Sequence, residues 1–288
     1  MKQSLFKMNK FLEINLDYTI NSGQVFLWKK LNNTWYGING SDVLAITPDS
    51  NDIRSFSENP MDIFRRGDNS KKIIQNISKD KIVKKAVKHF PGLRLLRQDP
   101  FQCYISFITS SNSNIQKIRF VLENLCRKFG IKVRFEEREF YLFPEPKILA
   151  KAEKNELMAC GLGYRAKFVK EASMAVKLGD IDFDYLKKAD YQTTKESLLK
   201  VFGVGNKIAD CIMLFSLEKL DSFPLDRWMI RVLQKYYSKK FPISGKTITE
   251  NTYEKLHNEI VHHFGPYAGY SQQFLFKMER DLNEKKWL

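Results

Sequence analysis

The stretch Leu198-Leu199-Lys200-Val201-Phe202-Gly203-Val204-Gly205-Asn206-Lys207-Ile208-Ala209-Asp210-Cys211-Ile212 decides the fold. Its first half reads as the apolar end of a helix, and its second half, rich in Ile and Ala, begins another. Gly203 and Gly205 permit a tight turn and leave backbone N–H groups unshielded beside a helix N-terminus, where a phosphate can bind. The pattern predicts a helix-hairpin-helix, although an ordinary helix-helix turn also uses glycine. Lys207 falls in the first turn of the second helix, where the helix dipole opposes a cation and lowers the pKa expected of the amine. A neutral amine attacks carbon, whereas a charged one beside the glycines grips phosphate, and these residues alone leave both readings open. Further along, Ser222-Phe223-Pro224-Leu225-Asp226-Arg227-Trp228 sets a carboxylate at the head of another apolar helix, either as an N-cap or as a charge partner for Lys207.

Around this stretch the period is helical from about Lys71 onward. Ile82, Val83, Ala86, Val87 and Phe90 recur at helical spacing, as do Ile115, Ile118, Leu122, Leu125 and Phe129. Glycine and proline punctuate the helices at Pro91-Gly92, Gly130, Gly161 to Gly163, Pro224 and Gly265-Pro266. The N-terminal part differs. Val25 to Trp28, Trp35 to Ile38 and Val43 to Ile46 are aromatic and β-branched clusters separated by Asn and Gly turns, which predicts an antiparallel sheet. The expected fold class is α+β: a sheet domain over residues 1–66, then an all-helical, two-lobed region over 67–288 with a cleft between its lobes.

With 48 Lys plus Arg against 33 Asp plus Glu in 288 residues, the formal net charge is +15. Nucleic acid is the leading partner, because a polyanion relieves the self-repulsion of such a surface; a basic surface without a partner is the alternative. Cys103, Cys126, Cys160 and Cys211 stand singly without a C-x-x-C pair, which argues against structural zinc, an iron-sulfur cluster or a disulfide framework. No run of about 18 apolar residues is present and residues 1–10 do not read as a signal peptide, so a soluble, intracellular monomer is expected, without membrane contact and cytoplasmic if prokaryotic. His89, His257, His262 and His263 are expected on solvated helix faces.

Hairpin, lysine and Pro-x-Asp together resemble the DNA glycosylases of the helix-hairpin-helix, Gly/Pro-rich loop and aspartate superfamily, and in detail the 8-oxoguanine DNA glycosylase/lyase family. The resemblance extends through Ser22 to Trp28, Gly92 to Pro100, Phe107 to Ile115, Gly161 to Ala166 and Gly265 to Gln272. It implies that Lys207 attacks C1′ of an extruded nucleotide, expelling the base and forming a Schiff base from which the strand is cleaved by β-elimination. It implies that Asp226 stabilises the cationic sugar, that the Gly23 carbonyl meets the N7 hydrogen of the oxidised base, and that Gln272 bonds its Watson-Crick edge. Phe276 and Cys211 become the walls of the base pocket, though core packing is their default reading. Tyr164 becomes a wedge in the base stack, while Asn112 and Arg165 hold the orphaned cytosine. Lys117 stands where better-known members have arginine, so relaxed opposite-base preference is expected. Trp228 stands where several relatives have histidine. The implied partner is duplex DNA with oxidised guanine, and no cofactor is implied beyond a monovalent cation that hairpin carbonyls could hold. The alternatives are a glycosylase for another lesion and a non-catalytic hairpin protein.

Overall fold

A computed structural model of the chain describes residues 4–7, 14–48, 52–243, 245 and 248–284. Strands β1 (Ser4–Lys7), β2 (Trp28–Leu31), β3 (Thr34–Asn39), β4 (Asp42–Ile46) and β5 (Asp52–Ser55) form an antiparallel sheet in the order β1-β5-β4-β3-β2. The expected sheet is there, extended beyond β4 by β5 and then β1. The first of the expected strands begins at Trp28, not Val25. Residues before it bond elsewhere: the Gln98 Nε2 donates to Gln24 O at 2.8 Å, and Leu96 N–H donates to the Gln24 Oε1 at 2.7 Å. Gly37 faces Trp28 across the β2–β3 ladder, where any Cβ would come within 2.0 Å of the indole.

Alternation along the strands buries both faces. Tyr36, Ile38, Val43 and Ala45 enter the main core with the helices. Trp35, Leu44 and Ile46 join Trp28, Leu16, Ile20 and Phe64 in a second, smaller core. The sheet is therefore packed against the helices. Buried polar groups add to this: the Gln102 Nε2 donates to Ile38 O and its Oε1 accepts Gly40 N–H, both at 2.8 Å. Nearby, Glu218 accepts from Arg65 at 2.6 Å and from Arg97 at 2.7 Å. Burial alone would raise the Glu218 carboxyl, but hydrogen bonds and charge from the two arginines prevail and bring it to about 2.

Helices dominate from Ser70 onward, and Lys81–His89 and Ile115–Phe129 coincide with the two periodic runs named above. One correction is needed to the all-helical expectation. Strands β6 (Lys132–Phe135) and β7 (Arg138–Tyr141) form a hairpin inside that region. Its two-residue turn, Glu136-Glu137, adopts positive φ at both residues without the usual Asn or Gly, so the sequence carries no turn signal there. The Phe140 ring stacks on Tyr36 at 5.6 Å, and Tyr36 Oη donates to Glu136 at 2.9 Å, which tie this hairpin to the sheet.

Candidate active site

The helices Tyr191–Leu199 and Asn206–Ser216 meet at the glycine turn. Gly203 has φ +91°, and a Cβ there would lie 2.5 Å from the Phe168 ring, so both conformation and space exclude a side chain. Gly205 is the N-cap of the second helix and offers no side-chain acceptor, leaving the first amides of that helix bare for an anion. Lys207 therefore projects from a first turn whose donors face outward.

Lys207 Nζ lies 3.4 Å from Ser110 Oγ and 5.5 Å from the Phe107 ring centre. One helical turn later Cys211 is buried, and burial, against the nearby Lys207 charge, pushes its thiol up to about 12. It is a neutral thiol, not a second nucleophile. Asp226 caps the helix Arg227–Tyr236, its Oδ1 accepting Met229 N–H at 2.9 Å. Burial raises the Asp226 carboxyl above its usual range, while the Lys207 charge and the helix amides oppose that rise. The cap and the charge partner are thus the same residue. Lys207 and Asp226 share one cleft of about 1090 Å³, which Ser110 to Asn114, Lys117, Arg165, Trp228 and Tyr253 also line.

A second group lies where the C-terminal helix Ala268–Glu284 meets the turn before β2. Gly23 has φ +83°, and a Cβ on it would sit 3.1 Å from Phe276 and 3.6 Å from Ile115, the neighbour of cleft residue Asn114. Gln273 donates to Ser22 O at 3.0 Å, and Arg280 donates to Asn21 O, which hold the turn against the helix. Gln272 is 4% exposed, and its Oε1 has no partner among the described residues. A buried acceptor left open is costly unless a ligand satisfies it.

The third group is the exposed rim. Asn112 has φ +48°, and Arg165 braces its turn, donating to Ser111 O at 2.7 Å and Asn112 O at 3.0 Å. That bracing was not foreseen; it engages two of the prongs expected to reach a base. The same guanidinium stacks on Tyr164, whose ring is 58% exposed. Lys117 points its ammonium over Phe120 at 4.9 Å. Trp228 lines the cleft with Arg231 over its ring at 5.0 Å.

The expectation for the histidines is corrected at two positions. His257 is buried beside Asp210 and Tyr191, and burial lowers its pKa. His263 lies 3.0 Å from Asp80 and packs on Phe264. Tyr253 and Asp210 were missed altogether. The one available signal was the four-residue spacing of Tyr253 and His257, which places both on one helix face.

Bare amides at a glycine turn, with a lysine and a carboxylate in one cleft, define a base-removing DNA repair enzyme of the hairpin type. Comparison with known proteins agrees: residues 105–259 match the family model described as HhH-GPD superfamily base excision DNA repair protein, and the chain belongs to that family. Residues 7–104 match the 8-oxoguanine DNA glycosylase N-terminal domain. Over 286 residues the chain is 28% identical to the N-glycosylase/DNA lyase OGG1 of Arabidopsis thaliana, covering 93% of this chain and 78% of that one. It is 31% identical to a probable N-glycosylase/DNA lyase of Methanothermobacter thermautotrophicus over 66% of this chain and 64% of the relative, slightly under two thirds of the latter. Among solved structures, the 8-oxoguanine glycosylase/lyase of Clostridium acetobutylicum in complex with dsDNA containing cytosine opposite 8-oxoG superposes with a TM-score of 0.86 at 27% identity, covering 98% of this chain and 99% of that one. No helix among the described residues is long and apolar enough to cross a membrane.

Proposed function

We propose that the chain removes 8-oxoguanine from duplex DNA and cleaves the strand at the resulting abasic site. The observation that carries this reading is the shared cleft of Lys207 and Asp226 beside the bare helix N-terminus at Gly205. The amine of Lys207 bonds to C1′ as the N-glycosidic bond breaks, and the bonding pair leaves with the base. Proton loss and sugar ring opening give the Schiff base; loss of the C2′ proton then expels the 3′ phosphate. Asp226 places its carboxylate against positive charge that develops at C1′, an interaction stronger in the transition state than in the ground state.

Extrusion of the nucleotide costs a few kcal/mol of stacking. Tyr164, exposed at the rim, wedges into the gap, and Asn112 with the remaining donor capacity of Arg165 meets the orphaned base. The Gly23 carbonyl reads the N7 hydrogen of the lesion, Gln272 its Watson-Crick edge, and Phe276 stacks on its face. A buried polar contact of this kind rejects a base lacking the hydrogen far better than an apolar pocket does. Lys117 offers a point charge where a two-pronged donor would select cytosine, so tolerance of other opposite bases follows. The carbonyls of the Val201 to Val204 turn are the place for a monovalent cation beside a bound phosphate. The protein acts as a monomer.

The test is single-turnover base release and strand cleavage on duplexes carrying one 8-oxoguanine. The reading predicts both products. Intact duplex after long incubation, under conditions where the protein binds it, would refute the substrate assignment.

A further inference from the structure

Behind the cleft lies a buried polar cluster that the reaction above does not use. Asp210, on the Lys207 helix, is 0% exposed. Its Oδ1 accepts from Tyr191 Oη at 2.7 Å and Ser222 Oγ at 3.4 Å, and its Oδ2 accepts from Tyr253 Oη. Lys195, itself buried, lies 3.5 Å from the same carboxylate and supplies the compensating charge. A carboxylate buried this completely is tied to several partners at once.

Tyr253 and a further neighbour of Asp210, His257, reach the segment that ends at Asp226. Tyr253 Oη accepts Leu225 N–H at 3.1 Å while donating to Asp210. His257 Nε2 accepts Phe223 N–H at 3.2 Å and lies 3.8 Å from Asp210. The acceptor role requires a neutral ring, and burial holds the His257 pKa below its ordinary value. The rings of Tyr191, His257 and Tyr253 stack in sequence at 5.0 and 6.3 Å, which leaves each little freedom to turn. The alternate amides of the approach to Asp226 thus end on side chains gathered by a carboxylate three residues beyond Lys207.

We propose that Asp210 is a positioning residue: through Tyr253 and His257 it sets the Phe223–Asp226 segment in register with Lys207, so that carboxylate and amine face the same sugar carbon. This rests on the assignment of Lys207 and Asp226 made above. Base expulsion uses both groups, whereas Schiff-base formation at a preformed abasic site needs chiefly the amine. The link therefore affects the two steps unequally.

Tyr253→Phe keeps the ring stack and deletes the hydroxyl that bridges Leu225 and Asp210; Asp210→Asn keeps shape and removes charge. Expected for Tyr253→Phe are single-turnover base release slowed about 10- to 100-fold, the effect of a small misplacement of reacting groups, borohydride-trapped adduct on abasic duplex changed less than about threefold, and faster amide exchange at Leu225. Asp210→Asn follows the same pattern with a larger loss. A purely structural role would instead lower the fraction of active molecules and leave the rate constant of the survivors alone. Equal loss of both steps, or unchanged base release, would overturn the proposal, as would unaltered exchange at Leu225. Native protein that releases no base refutes the reading of function, and exchange then decides the anchoring without substrate.

Discussion

The lysine side and the rim side of the cleft are built differently. Lys207 and Asp226 sit at helix starts, with Cys211 buried one turn beyond the lysine, and the Asp210 cluster lies behind them. Asn112, Lys117 and Tyr164 are exposed, and their fixed points are the backbone turn braced by Arg165 and a cation over an aromatic ring. Bond-making groups have to be held before the substrate arrives, because misplacement costs rate directly. Groups that receive an orphaned base have to fit whichever partner is there. On the proposed roles, rigidity is spent at the amine and the carboxylate, and adaptability remains at the rim.

The most damaging way to break the rigid side is Asp226→Asn, which keeps much of the cap but removes the charge. Base release is expected to fall by about 10² to 10³, the usual scale for deleting one stabilising group at developing charge, with binding of undamaged duplex unchanged. Its raised pKa has a signed consequence. The active form is the carboxylate, so base release by native protein falls with decreasing pH at a higher pH than an ordinary aspartate would set, and a single-turnover pH profile checks this.

The scaffold behind the rigid side makes its own pH prediction. Glu218 titrates at about 2 when folded against 4.5 for the free group, so its clamp on Arg65 and Arg97 contributes fully above 4.5 and is lost as pH falls toward 2. Up to about 3 kcal/mol is at stake. Glu218→Gln should flatten that stretch of the acid-denaturation curve; an unchanged slope would count against the clamp. Gly203→Ala strains a positive φ against the Phe168 ring and is expected to cost about 2 kcal/mol in chemical denaturation. The smallest effect belongs to the rim. Lys117→Arg is expected to sharpen preference for cytosine opposite the lesion by about tenfold, as a two-pronged donor does, with little change in the cytosine rate itself. Equal discrimination by both proteins would place selectivity elsewhere.

The same contrast governs what could be read from residues alone. Periodicity located the Ile115–Phe129 helix, and the two glycines with Lys207 located the hairpin, because these rest on local spacing. Asp226 was legible both as cap and as charge partner, and it is both. The β6–β7 hairpin was hidden by a turn of two glutamates, which no local rule marks. His257 looked solvated because its partners, Asp210 and Phe223, are distant in sequence and only the folded chain joins them. Arg165 was assigned to a base, yet its nearest acceptors are carbonyls of Ser111 and Asn112, more than fifty residues back. Pairings of that kind carry no signature until the lobes pack.

The central claim is that Lys207 forms the covalent bond. It is tested most directly by borohydride trapping on duplexes holding one 8-oxoguanine opposite each of the four bases, with native protein and Lys207→Gln. The account predicts an adduct with native protein only, at yields that vary modestly among the four partners. Base loss revealed by hot alkali without any adduct would contradict it, leaving Asp226 to act through water and Lys207 to bind phosphate.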